Sequence, residues 1–160
     1  MKNDRFFNGI LIGIAAIIVI AIAAFFIRQQ SNKLMTDNSP AAAVNNYVVY
    51  LYQQDYEQAY KYLADLENKP LLAQFRQSFT SYNQDIGSVS IKLNETSQDA
   101  NSATVYLTII RQAGGLFSEP YRDSQPAQLI LQNGEWKISN MPYPFWDYSW
   151  YQKPFDAQQK

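Results

Sequence analysis

Tyrosine, carboxylate and lysine side chains carry the acid–base chemistry available to this chain, because its 160 residues include no cysteine and no histidine. Without those two residue types it cannot assemble a Ser-His-Asp or Cys-His catalytic arrangement. It also lacks the ligands of a usual zinc site, so we predict no metal and no cofactor. A catalytic carboxylate must be desolvated to raise its pKa, and the spacing of the carboxylates does not identify one that is. The composition therefore favours a protein that is not an enzyme.

Four tyrosines are predicted to bind a ligand. Tyr52, Tyr56 and Tyr60 are spaced four residues apart, so on a helix they share one face and could offer hydroxyl groups to a pocket. Tyr106, on a predicted strand, is the fourth. The alternative is that each ring packs in the core and leaves its hydroxyl at the surface. Asp55 and Glu57 are the best-placed neighbouring carboxylates, although Asp55 is better explained as the N-cap of the second helix.

The C-terminal end of the chain is rich in aromatic residues and is interrupted by Pro142, Pro144 and Pro154. Proline prevents a regular central strand or helix, so this part is predicted to be an extended arm. One interpretation is an arm that covers the open side of the domain. The other is an exposed aromatic surface, since tyrosine and tryptophan are enriched where proteins contact partners or lipid headgroups. The residues that this second interpretation assigns to a partner are Tyr143, Phe145, Trp146, Tyr148, Trp150 and Tyr151.

A long connection over residues 113–126 contains Gly114-Gly115 followed by Leu116 and Phe117. Loops longer than a hairpin turn are often functional or mobile. Leu116 and Phe117 at the tip are therefore predicted to contact a partner or the membrane. The alternative is that these two side chains fold back onto the sheet.

The first thirty residues predict a transmembrane anchor. Gly9 to Ile27 contains no charged side chain, and as a helix it spans about 30 Å, the thickness of a bilayer hydrocarbon core. We expect residues 6–27 to contact lipid, with Arg5 and Arg28 at the two ends. Hydrophobicity continues to Ile27, past a possible cleavage box at residues 21–23, which argues against a removed signal peptide. A buried core helix is the weaker alternative.

The predicted anchor also bears on the orientation of the chain in the membrane and on its partners. A short N-terminal tail before a large C-terminal domain predicts a single-pass protein of the cell membrane with its domain outside, although lysine and arginine are equally divided between the two ends. Gly9 and Gly13 form a Gly-x-x-x-Gly pair, a helix-dimerisation pattern that is also common by chance. The net charge of −1 gives no advantage on nucleic acid, so no nucleic-acid partner is predicted.

The hydrophobic pattern predicts helices first and strands afterwards. Ser39-Pro40 is a good helix start, and apolar residues recur at helical spacing until about Tyr82. The apolar residues of the third predicted helix are Leu71, Leu72, Phe75 and Phe79. After Ile86 the period changes to two, which predicts strands with a turn at residues 97–101 and a hairpin at Asn133-Gly134. This order predicts an α+β fold after the transmembrane helix, with about three helices packed on a curved four-stranded antiparallel sheet.

Two parts of the chain resemble the nuclear transport factor 2-like superfamily of cone-shaped α+β domains. Residues 39–47 and 54–63 are similar to its opening of one helix, an Asp-Tyr pair and a second helix, and residues 129–138 are similar to its last hairpin. The resemblance implies a small bacterial membrane-anchored member of unassigned function, with a cavity between the helices and the concave sheet. Some members are isomerases or dehydratases, but the three isomerase roles cannot be placed on residues of this chain, and the dehydratase histidine is absent.

Four segments are predicted: residues 1–28 form the N-terminal tail and anchor, 29–38 a flexible linker, 39–141 the nuclear transport factor 2-like domain, and 142–160 the C-terminal arm. The predicted function is a non-enzymatic, membrane-tethered interaction or assembly module of the cell envelope. Its predicted partner is another protein or a second copy of the chain in a membrane complex. The alternatives are a small-ligand binding or sensing domain that uses the cone cavity and, less favoured, an isomerase-type enzyme.

Overall fold

The chain divides into two units, Met1–Lys33 and Leu34–Lys160, in a computed structural model that describes residues 9–20, 33–81, 86–111 and 119–152. Residues 9–20 are helical. Within the described residues, no helix combines the length and the apolar character that crossing a membrane requires. The rest of the predicted span, residues 6–8 and 21–27, lies outside the described residues.

Helix α1 (Pro40–Tyr52) begins where the sequence predicts it. The side chain of Ser39 accepts a hydrogen bond from the backbone N–H of Ala42 at 3.1 Å, and Pro40 occupies the first turn, where no N–H is needed. Most of the following residues are buried, including Val44, Tyr47, Val48 and Leu51. A helix that is buried on nearly all sides belongs in the interior, and α1 contacts the sheet and α2.

Helices α2 (Tyr56–Tyr60) and α3 (Leu72–Thr80) follow. Asp55 caps α2, as predicted, because its carboxylate accepts a hydrogen bond from the N–H of Gln58. Phe75 and Phe79 of α3 are buried, as the spacing predicts. Leu71 and Leu72, which the pattern placed on the same apolar face, are instead exposed, because they occupy the N-cap and the first position of the helix.

The four strands are β1 (Val89–Gln98), β2 (Ser102–Arg111), β3 (Tyr121–Gln132) and β4 (Glu135–Asn140). They form one antiparallel sheet in the order β1-β2-β3-β4, preceded by a short 3-10 helix at Ile86–Ser88. The hairpin at Asn133-Gly134 is confirmed: both residues have positive φ angles, 53° and 80°, as a two-residue turn of this type requires.

Strand β3 begins earlier than the sequence predicts. The expected loop ran to Pro126, but Tyr121 already pairs with Arg111 of β2. Because residues 121–125 are polar, the hydrophobic pattern does not indicate a strand there. Proline is tolerated at position 126 because β4 pairs with β3 only as far as Gln128, so β3 is an edge strand there.

The core lies between the helices and one face of the sheet, which confirms the α+β class with four antiparallel strands. Alternate residues of β2 and β3 face this core, and β4 contributes Trp136 and Ile138. The outer edge of β4 is closed by the chain after α2, since Ile138 donates a backbone hydrogen bond to Tyr62 and its carbonyl accepts one from Ala64. Such closure removes an unpaired edge from that side of the sheet.

The end of the predicted linker is attached to the domain. Asn46, buried on α1, accepts a hydrogen bond from the N–H of Met35 at 2.8 Å and donates one to the carbonyl of Met35 at 2.9 Å. Asn38 also donates to the carbonyl of Gly134. These contacts satisfy polar groups that would otherwise be costly to bury. Residues 34–38 therefore do not behave as a free tether over their full length.

Candidate functional site

The described part of the C-terminal arm, residues 142–152, belongs to the hydrophobic core. Phe145, Trp146 and Trp150 are 0%, 3% and 7% exposed. The ring of Trp150 lies 5.2 Å from that of Phe75 and 4.8 Å from that of Trp146, measured between centroids. The arm thus covers the domain, as the first interpretation of its sequence proposed. Phe145, Trp146 and Trp150, which the second interpretation assigned to a partner, present almost no surface.

Four tyrosine hydroxyls bind distant parts of the chain through backbone carbonyls. These hydrogen bonds run from Tyr47 to Phe145 at 2.8 Å, Tyr52 to Val89 at 2.9 Å, Tyr60 to Pro70 at 2.8 Å and Tyr151 to Ala64 at 2.6 Å. Burial raises the pKa of all four phenols above the ordinary value. The abundance of tyrosine therefore has a structural use, because three of these carbonyls lie outside helices and strands, where regular backbone partners are lacking.

The predicted ligand-binding tyrosines do not line one pocket. Tyr52 and Tyr60 use their hydroxyls on carbonyls, and the ring of Tyr56 stacks on Phe79 with 6.2 Å between centroids. Tyr106 is exposed on the opposite face of β2 from its buried neighbours, because side chains alternate along a strand. Helical spacing alone could not show that these hydroxyls and rings already contact other parts of the domain.

A surface cleft of about 330 Å³ lies between α3, the turn before it and the arm. The residues that line this cleft come from two parts of the chain about seventy residues apart, so the sequence alone does not predict it. No motif marks its residues. The residues that line it are Asn68, Pro70, Gln74, Gln77, Ser78, Asp147, Ser149 and Trp150.

Asp147 is the charged group of the cleft. Its Oδ2 accepts a hydrogen bond from the Ser78 hydroxyl at 2.7 Å, and its Oδ1 accepts from the N–H and the hydroxyl of Ser149 at 2.9 and 2.7 Å. Partial burial raises its pKa, but these hydrogen bonds outweigh burial and hold the pKa below the ordinary value. Asp147 is therefore ionised at neutral pH, and it fixes the arm against α3.

The remaining predicted partner contacts fall in three groups. Tyr143 and Tyr148 are exposed, at 50% and 54%. Tyr151 is half-buried and stacks on Trp146. Leu116 and Phe117 lie outside the described residues.

The structure also exposes a group of apolar side chains that are close together in the sequence. They are Leu66, Leu71 and Leu72, in the connection from α2 and the first position of α3, with Leu71 68% exposed. Single exposed leucines are ordinary. Three within seven residues, next in sequence to two residues of the cleft, mark this connection as an exposed apolar segment.

Comparison with known proteins finds only distant structural similarity. No family profile and no curated protein matches the chain. A calcium/calmodulin-dependent protein kinase type II association domain, so named, from Thiobacillus denitrificans is 12% identical, with 65% of this chain and 92% of that chain covered and a TM-score of 0.48.

Two further solved structures have similarly low sequence identities and TM-scores. A SEC-C motif protein from Rhodopseudomonas palustris is 13% identical over 64% of this chain and 77% of its own, with a TM-score of 0.46. A protein from Campylobacter jejuni that is named as an NTF2-like transpeptidase is 18% identical over 64% and 99%, with a TM-score of 0.43. Similarities at this level do not assign a family or an activity.

Proposed function

We propose that this chain is a non-enzymatic, membrane-tethered interaction module whose domain contacts a partner through the exposed part of the arm. The domain would be a small nuclear transport factor 2-like unit, an assignment supported by its helices-then-meander order. The observation that carries the proposal is the packing of the arm: Phe145, Trp146 and Trp150 are buried in the hydrophobic core, whereas Tyr143 and Tyr148 of the same segment stay exposed. The exposed side chains are the part of the arm that a partner can reach.

The chemistry of the described residues supports a non-enzymatic role. An acid–base carboxylate usually has a raised pKa, whereas hydrogen bonds hold the pKa of Asp147 below its ordinary value. Ser78, which donates to Asp147, has no histidine to accept its proton, because the chain contains none. The hydroxyls of Tyr47 and Tyr52 donate to backbone carbonyls, so neither is directed at a ligand.

The exposed tyrosines supply the contact surface. Tyr143 and Tyr148 present half of their rings to solvent from a segment whose neighbouring residues are fixed in the core. Tyr143 is further held by Arg111, whose guanidinium donates to the Tyr143 carbonyl at 3.0 Å and lies 5.9 Å from its ring. Rigid aromatic side chains lose little conformational entropy on binding, which suits them to a protein interface.

The tether is the predicted anchor over residues 6–27, which supports placement of the domain beside the bilayer. A single uncharged span of this length holds a protein in the membrane without any lipid attachment. The absence of cysteine leaves no site for palmitoylation.

Site-specific photo-crosslinking tests the interaction. A photoreactive phenylalanine analogue would replace Tyr143 or Tyr148 in the full chain, expressed in its native cells. Tyr106, a tyrosine on the outer face of the sheet that is 43% exposed, is the control position. We expect adducts of one defined mass from positions 143 and 148 and none of that mass from 106. Equal adduct patterns at all three positions, or no adduct at 143 and 148, would overturn the proposal.

A further inference from the structure

We propose that the cleft between α3 and the arm binds a neutral, hydroxyl-rich ligand of the saccharide class. The cleft is lined by different residues from the exposed tyrosines Tyr143 and Tyr148. The inference therefore stands whether or not those tyrosines contact a partner.

Asp147 provides a pre-oriented acceptor. A carboxylate offers about four acceptor positions, and three are occupied by hydrogen bonds from Ser78 and Ser149. The remaining position on Oδ2 is available to a ligand hydroxyl. Because three hydrogen bonds already fix the carboxylate, binding costs little conformational entropy.

Amide side chains provide both donors and acceptors. The Oε1 atom of Gln74 accepts a hydrogen bond from the N–H of Leu71 at 2.9 Å, which fixes this amide and leaves its NH₂ group as a donor. Within the part of the chain that the structure describes, the side-chain amides of Asn68 and Gln77 have no hydrogen-bond partner. Vicinal sugar hydroxyls each donate and accept, so they match neighbouring amide and carboxylate groups.

The lining argues against anionic and apolar ligands. The eight described residues that line the cleft include no lysine or arginine that would attract a phosphate or carboxylate. Among these described residues, Pro70 and Trp150 are the only apolar ones, too few to hold an acyl chain or the side chains of an extended peptide. The volume of about 330 Å³ lies at the lower end of the range for small-molecule sites, about 300–1,000 Å³, and suits a small saccharide.

An array of neutral oligosaccharides built from hexoses and N-acetylhexosamines tests the inference. The probe is the full-length chain in a detergent without a sugar headgroup, and acidic glycans and uncharged peptides form the comparison arms. The strongest neutral saccharide is then titrated to about 10 mM, so that millimolar affinities register. We expect binding to at least one neutral saccharide and none to the comparison arms.

Two variants locate the site. Gln77→Ala removes one exposed amide from the cleft, and Gln53→Ala removes an exposed amide just after α1 as the matched control. We expect Gln77→Ala to weaken binding about threefold to tenfold, the effect of one lost neutral hydrogen bond, and Gln53→Ala to leave it unchanged. No neutral saccharide bound, preference for acidic glycans or peptides, or equal affinities for the two variants would each overturn the inference.

Discussion

At the scale of single residues, the tyrosine hydroxyls explain why so irregular an arm is held firmly. Tyr47 is fully buried on α1, and its hydroxyl reaches the carbonyl of Phe145, 98 positions along the chain. Ser78 and Asp147 form a second such attachment. A hydrogen bond buried away from water contributes most when its loss leaves the other partner unsatisfied.

Tyr47→Phe should therefore destabilise the domain. The ring still fills its space, but the carbonyl of Phe145 loses its donor in the core, which costs about 1–3 kcal/mol in the free energy of unfolding. Chemical denaturation of the full chain in detergent measures this. Tyr148→Phe, at an exposed ring, is the control and should change stability by less than about 0.5 kcal/mol. Equal effects of the two substitutions would show that the hydroxyl of Tyr47 stabilises nothing.

The same phenols predict a loss of stability at alkaline pH. Burial raises the pKa of Tyr47 and Tyr52 above the value of about 10 expected in the unfolded chain. Below pH ~10 both states keep the proton, so stability is complete. Above it the unfolded state ionises first, and each tyrosine removes up to about 1.4 kcal/mol per pH unit.

Unfolding experiments from pH 8 to pH 11 check this, with Tyr47→Phe as the comparison because phenylalanine does not titrate. The variant should lose stability less steeply than the unmodified chain. Parallel profiles would mean that Tyr47 ionises as easily in the folded as in the unfolded state.

At the scale of elements, the sequence predicted the features that depend on residues close together in the chain. The Ser39 and Asp55 caps, the period-two strands and the Asn133-Gly134 turn all depend on neighbours within a few residues. Two features depend on distant contacts. The first half of β3 is polar and is held by its pairing with β2, so the hydrophobic pattern did not predict it. The sequence left two interpretations of the arm open, and the packing of Trp150 on Phe75 agrees with the arm that covers the domain.

The candidate site was predicted only in part for the same reason. The exposed tyrosines could be named, but nothing local separates Tyr148 from Trp150, which is buried. The cleft exists only because the arm returns to α3, so its residues carry no signal in the sequence.

Truncation tests the place of the arm as an element of the fold. A chain ending at Met141 loses the buried rings of Phe145, Trp146 and Trp150, and losing each ring costs about 3–5 kcal/mol. The total of about 9–15 kcal/mol is as large as the whole stability of a typical domain, which is about 5–15 kcal/mol. We expect no cooperative thermal transition and rapid proteolysis. A chain ending at Gln152 is the control and should melt cooperatively. A Met141 truncation that melts like this control would contradict the packing described above.

At the scale of the whole molecule, three properties support the proposed function: the uncharged stretch over residues 6–27, the attachment of the start of the domain at Met35, and the burial of the aromatic rings of the arm in the core. On the proposed function, a module of this kind contributes position and a binding surface rather than chemistry. Because the residues beside the exposed Tyr143 and Tyr148 are held in the core, this surface loses little conformational entropy on association.

The measurement that tests the central claim most directly is the location of the domain in intact cells. The chain has no cysteine, so Gln53→Cys creates a single exposed thiol on the domain. The account predicts that the full chain stays with the membrane pellet after alkaline extraction and that a membrane-impermeant maleimide labels it before the cells are lysed. A full-length chain found in the aqueous fraction, with residues 6–27 still attached, would contradict the account.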